Sequence, residues 1–140
     1  MEAYLELFKQ LAPDTGMSFV VIPHLLADHK SHLVEILSRS TTLPISEIVD
    51  GVRPEPDHIY VLPPNTRARL NQGVLRLDAR VPDGLPRSID YFFRSLGAEQ
   101  KTRAVGVVLS GTDADGALGL KAIKGEGGIA IVQSPETARF

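Results

Sequence analysis

The chain contains no cysteine. That excludes disulfides, a thiolate nucleophile and cysteine-ligated zinc, and it accords with a cytoplasmic protein. No run of 18 apolar residues occurs, so hydropathy offers no membrane span. No charge of one sign dominates. Fifteen Lys and Arg against 17 Asp and Glu leave a net charge of -2, and the pI of about 6.1 speaks against the basic face that nucleic-acid binding requires. The opening MEAYLELFKQ is charged and amphipathic, unlike a signal peptide. Repeats, low-complexity stretches and a dividing linker are also missing. What is present is 140 residues, 43% of them hydrophobic, enough for one domain with a real core.

Strand and helix patterns alternate along the chain. EAYLELFKQL has helical spacing, with Ala3, Leu7 and Leu11 along one side and Tyr4 and Phe8 beside them. MSFVVI is a near-continuous apolar run of the kind that parallel strands covered on both faces show. DHKSHLVEILSRS returns to a helical period through Leu33, Ile36 and Leu37; TTLPISEIV and HIYVL predict two further strands. RARLNQGVLRL predicts a hairpin turning at Asn71-Gln72-Gly73. SIDYFFRSLGAEQ predicts a helix with Ser88 as N-cap, AVGVVLSG a buried strand, DGALGLKAIKGEG a helix and GIAIV a last strand. Ser134 and Pro135 in SPETARF form a helix start. The pattern predicts an α/β fold with a mostly parallel, doubly wound (Rossmann-like) sheet and an inserted hairpin. Met1 enters a helical pattern with no cap before it, and SPETARF stops seven residues into a helix. Residues 1–140 are therefore expected to be a single but incomplete domain.

Ligands of open α/β sheets collect at the carboxyl ends of strands, and two polar clusters fall there. One is Pro23-His24 after SFVVI. The other is SGTDADGALG, residues 110–119, after AVGVVL. A histidine and an aspartate at neighbouring strand ends make two-thirds of a hydrolase triad, with the histidine as base and the aspartate holding its tautomer. The residues alone leave other readings open: His24 as a strand-end histidine bonded to a backbone carbonyl, and Asp115 as a helix-capping carboxylate. DADG opens like a calcium loop, but the twelfth position from Asp113 is Lys124, not glutamate. Two acidic residues would repel a phosphate from the glycine-rich turn. His29 and His32 share a helix spacing better suited to a solvated first turn than to a metal. His58 has no evident partner, and Ser110 lacks a G-x-S-x-G elbow.

SFVVIPHL, HIYVLPPN, RSIDYFFRSL, AVGVVLSGTDADGALGLKAIK and GGIAIVQSPETARF stand in one order with compact spacing. Together they resemble the catalytic domain of chemotaxis protein-glutamate methylesterases (CheB-type), in the version found in large multidomain sensory proteins. LSGTDADGALGLKAI carries most of the resemblance. It implies a cytoplasmic hydrolase of γ-glutamyl methyl esters on chemoreceptors, with some members deamidating glutamines, through a serine, histidine and aspartate in that chain order. His24 would be the base, Asp115 the orienting aspartate and Thr112 a neighbour of the oxyanion site, where family members often carry methionine. No residue matches the serine, which in the family sits in a glycine-rich turn before the first helix, and the family's C-terminal helix is also not matched. The expected partners are the methylated chemoreceptor cytoplasmic domain and a receiver or other signalling domain in the parent chain; no cofactor is implied. Activity of residues 1–140 alone is not expected. The alternative is a non-catalytic interaction module within a signalling protein. The strands ending at Ile22 and Leu109 are expected in one parallel sheet, with apolar surface exposed on both.

Overall fold

Alternation along one short strand sets the architecture. In the computed structural model, which describes residues 2–23, 32–79, 87–109 and 115–133, strands β1 (Phe19–Val21), β2 (Ile45–Glu47) and β3 (Ile59–Val61) form a parallel sheet in the order β1-β3-β2. β3 is buried at every position, as a central parallel strand covered on both faces must be. Ile59 and Val61 enter a cluster with Phe8, Val21, Leu33, Leu37 and Leu43. Tyr60 and the following Leu62 enter the opposite one, with Ile22, Leu70, Leu75, Phe92, Phe93, Leu120 and Ile123.

Helices α1 (Glu2–Gln10) and α2 (Leu33–Ser38) cover the first cluster. The apolar stripe of α1 is centred on its aromatic residues. Tyr4, Phe8 and Leu11 turn inward while Leu7 is exposed. The aromatic rings decide this: Phe8 packs edge-on against Phe19 at 5.9 Å, and the Tyr4 hydroxyl donates to the Ile22 carbonyl at 3.3 Å.

The second cluster lies under the hairpin of β4 (Thr66–Asn71) and β5 (Val74–Ala79), the helices α3 (Ser88–Gln100) and α4 (Ala117–Gly125), and the parallel pair β6 (Val105–Val108) and β7 (Ile129–Val132). Gln72 and Gly73 form the two-residue hairpin loop, both at positive φ (52° and 79°), as the twist of a tight hairpin demands. Asn71 is the last residue of β4. Three polar ties fix α3 on the hairpin. The Leu70 amide donates to Ser95 Oγ at 2.8 Å. The Tyr91 hydroxyl donates to Asp78 Oδ2 at 2.6 Å. Glu99 accepts the turn amides of Gln72 and Gly73.

The fold class is the expected one: α/β, strands mostly parallel, one inserted hairpin. The single ladder is not. Among the described residues β1 pairs with β3, and β6 pairs with β7. Each ladder closes on its own crossover unit, and side chains join the two. Val20 and Ile22 on one side and Val108 and Ala130 on the other pack into the same apolar cluster. Exposure is also unequal. Val21 and Ile22 are buried, whereas Val105, Ile129 and Ile131 are 39%, 54% and 47% exposed. The expected helix at 134–140 lies outside the described residues.

Candidate active site

Asp115 stands just before α4, and this side chain is buried. Its Oδ1 accepts the Asp90 amide at 2.9 Å and its Oδ2 accepts the Ile89 amide at 3.2 Å. Both donors belong to the first turn of α3, where backbone N–H groups lack helical partners and the dipole favours an anion. The N-cap residue of α3 is Arg87, which makes no side-chain cap, and the expected cap Ser88 falls one position inside the helix. Asp115 supplies from another element what Ser88 was expected to supply locally. Asp115 is thus a helix-capping carboxylate, and the helix it caps is α3, from outside that helix.

Asp90 returns the favour. Its Oδ1 accepts the amides of Gly116 at 2.9 Å and Gly119 at 2.7 Å, the N-cap and first turn of α4. Its Oδ2 lies 3.7 Å from Arg87 Nη1. Asp90 of α3 caps α4, Asp115 just before α4 caps α3, and both carboxylates are buried. Close approach makes this possible. Gly116 sits at φ 106°, and a Cβ on Gly119 would lie 2.6 Å from Phe93 Cβ and 3.1 Å from Asp90 Cα. Asp90 went unnoticed in the sequence. The available signal was an aspartate inside the otherwise apolar SIDYFF, three residues into a helix, with Gly-x-x-Gly at 116–119 in the partner helix.

A carboxylate held by two helix amides has a fixed orientation. It can accept about four hydrogen bonds, so this anchoring is compatible with orienting an imidazole. His24, two residues beyond the buried Ile22, lies outside the described residues, as do Thr112, Asp113, Ser110 and His29. The structure therefore brings Asp115 to the start of α3 and is silent on the others. The two remaining histidines are at other places. His58 opens β3 at the amino edge of the sheet, stacks on Tyr60 at 4.4 Å and shares a hydrogen bond with Ser46 Oγ at 3.1 Å. His32 is exposed at the start of α2, 3.9 Å from Glu35. Among the described residues no three His, Asp or Glu side chains gather as a metal site, and no helix is long and apolar enough to cross a membrane.

Comparison with known proteins places the chain among relatives. A family model described as CheB methylesterase matches residues 1–140. The protein-glutamate methylesterase/protein-glutamine glutaminase 1 of Syntrophus aciditrophicus (strain SB) is 36% identical over 137 residues, covering 93% of this chain and 39% of that protein. An uncharacterized 104.1 kDa protein of Rhodobacter capsulatus is 39% identical over 108 residues, covering 77% of this chain and 11% of its own length. The chain thus spans well under two-thirds of either curated relative. The crystal structure of the Thermotoga maritima CheB methylesterase catalytic domain superposes with a TM-score of 0.86 over 98% of this chain and 75% of that chain, at 22% identity, and so shares the fold.

Proposed function

Since the chain belongs to the CheB methylesterase family, we propose that it forms part of a cytoplasmic protein-glutamate methylesterase that hydrolyses γ-glutamyl methyl esters on chemoreceptor signalling helices in chemotaxis, and deamidates receptor glutamines by the same route. The observation that carries this reading is the buried Asp115, held rigidly by two amides of α3 at the carboxyl end of β6. A triad aspartate needs that fixed placement.

In the proposed mechanism a serine from chain outside these 140 residues attacks the ester carbonyl. His24 takes the serine proton and passes it to the departing methanol. Water, deprotonated by His24, then attacks the acyl-serine, and the proton returns to serine as the glutamate carboxylate leaves. With a glutamine side chain the leaving group is ammonia. Asp115 holds the imidazole tautomer and stabilises the imidazolium. Thr112 would border the developing oxyanion, as the family resemblance implies. A receiver or other signalling domain in the parent chain would supply regulation.

The test is methanol release from methylated receptor. Residues 1–140 alone should give no rate above background, because base and orienting carboxylate have no nucleophile to activate. In a protein that includes the serine-bearing turn, His24→Ala should cost on the order of 10⁶-fold in kcat, and Asp115→Asn on the order of 10⁴-fold. His29→Ala, His58→Ala and Asp113→Asn should be mild. Full rate with His24→Ala would overturn the assignment, and a parent protein with no such serine would point instead to an interaction module.

A further inference from the structure

Asp90 is buried, charged and unused by the mechanism above. It stands next to Tyr91, Phe92 and Phe93 in the apolar stretch of α3. Desolvating a carboxylate there is costly unless it is hydrogen-bonded. Its Oδ1 takes two donors of α4, one of them the Gly116 amide at 2.9 Å. That amide belongs to the peptide linking Asp115 to Gly116. A peptide unit is planar, so fixing its N–H also fixes the plane that holds the Asp115 Cα and carbonyl carbon; what remains is rotation about the Asp115 Cα–C bond, which the two amides accepted by the Asp115 carboxylate restrain. The contact also closes on itself. Asp115 Oδ1 accepts from the Asp90 amide at 2.9 Å, so each carboxylate locks the main chain that carries the other.

From this closed arrangement we propose that Asp90 is a positioning residue of the hydrolase, setting the aim of Asp115 through the Asp115–Gly116 peptide. The proposal rests on the reading of Asp115 as the triad carboxylate. Asp90 touches no reacting atom and acts only through its neighbour. Without it, the Asp115–Gly116 peptide loses its tether, and the Gly116 and Gly119 amides are left buried without an acceptor. A displacement of about 1 Å in such a support costs on the order of 100-fold in rate.

Kinetics of methanol release by a protein that includes the serine-bearing turn test this. Asp90→Ala should lower kcat by about 100-fold and leave KM within about twofold, because substrate binding does not depend on the aim of Asp115. Asp90→Asn keeps an oxygen able to accept both amides and should keep most of the rate. In an Asp115→Ala background, Asp90→Ala should have almost no further effect on kcat, since a residue that acts only through Asp115 has nothing left to act on. A purely structural contribution would instead lower kcat in both backgrounds. Should Asp90→Ala fail to fold, Asp90→Ser, too short to span from α3 to both glycine amides, takes its place in the cycle. Equal losses from Asp90→Ala with and without Asp115, or a loss confined to KM, would overturn the positioning role. A full rate for Asp115→Asn would instead overturn the triad reading itself.

Discussion

At the scale of single residues, Tyr91 and Asp78 offer a readable pH dependence. The Tyr91 hydroxyl, ahead of Arg69 and Arg67, holds the Asp78 carboxyl below its ordinary 3.8, outweighing the opposing effect of burial. Burial first, then Asp78, pushes the tyrosine above its ordinary 10.0. A depressed carboxylate stabilises the fold above its unfolded value and loses that contribution as pH falls through the folded one; a raised phenol stabilises below its unfolded value and loses it as pH rises. Tyr91→Phe keeps the ring under the Arg67 guanidinium, which sits 3.9 Å from its centroid, and removes only the hydroxyl. Asp78 is partly exposed, so the expected cost at neutral pH is about 1 kcal/mol. Urea midpoints of both proteins should converge below pH 3.8 and stay apart above it up to pH 10.0. A gap that ignores acid would assign the effect to packing. None of this network was legible in the sequence, because Asp78 and Tyr91 are 13 residues apart and meet only when the hairpin folds onto α3. Asp115 was legible by its place after an apolar strand. Its donors were not, since they lie about 25 residues upstream in another helix.

Among the elements, the α3–α4 contact depends on glycine. Replacing Gly119 by alanine would gain about 1 kcal/mol of helix propensity. The new Cβ would, however, stand 2.6 Å from Phe93 Cβ, which lies at the root of its side chain and cannot swing away. Overpacking of that kind costs typically 1–3 kcal/mol, so Gly119→Ala should destabilise. Gly125→Ala, at the end of the same helix with nothing within 4 Å of the new atom, should stabilise by about 0.5–1 kcal/mol. Thermal melts of the pair check this, and equal shifts would show that the helices can part at no cost. Periodicity found each of these elements because apolar spacing is a local property. It gave the apolar stripe of α1 but not its centre, which lies at Phe8 and Tyr4 and leaves Leu7 at the exposed margin. It also missed the division of the parallel strands into two ladders, because strand order is fixed by crossovers and not by the strands themselves.

For the molecule as a whole, the apolar row of Val105, Ile129 and Ile131 is the exposed counterpart of a well-covered sheet. These residues lie on neighbouring strands, with Val105 in register with Ile129. A contiguous apolar patch of this sort favours association. The double variant Ile129→Thr, Ile131→Thr keeps β-branched side chains suited to strands while reducing the patch. Residues 1–140 should then sediment with less concentration dependence than the parent. Identical sedimentation of the two would show that the patch does not drive contact.

The exchanged caps of α3 and α4 bear on how the chain reaches this state. A helix that carries its own cap can complete its first turn before it docks. Here each first turn waits for a carboxylate that the other helix delivers, across 25 to 29 residues of chain. Such non-local bonds are rewarded only after the intervening loop has closed. The two helices therefore gain their last stabilisation together and lose it together, as one cooperative unit. The buried carboxylates that tie the two helix starts together thus also couple the assembly of the second half of the molecule.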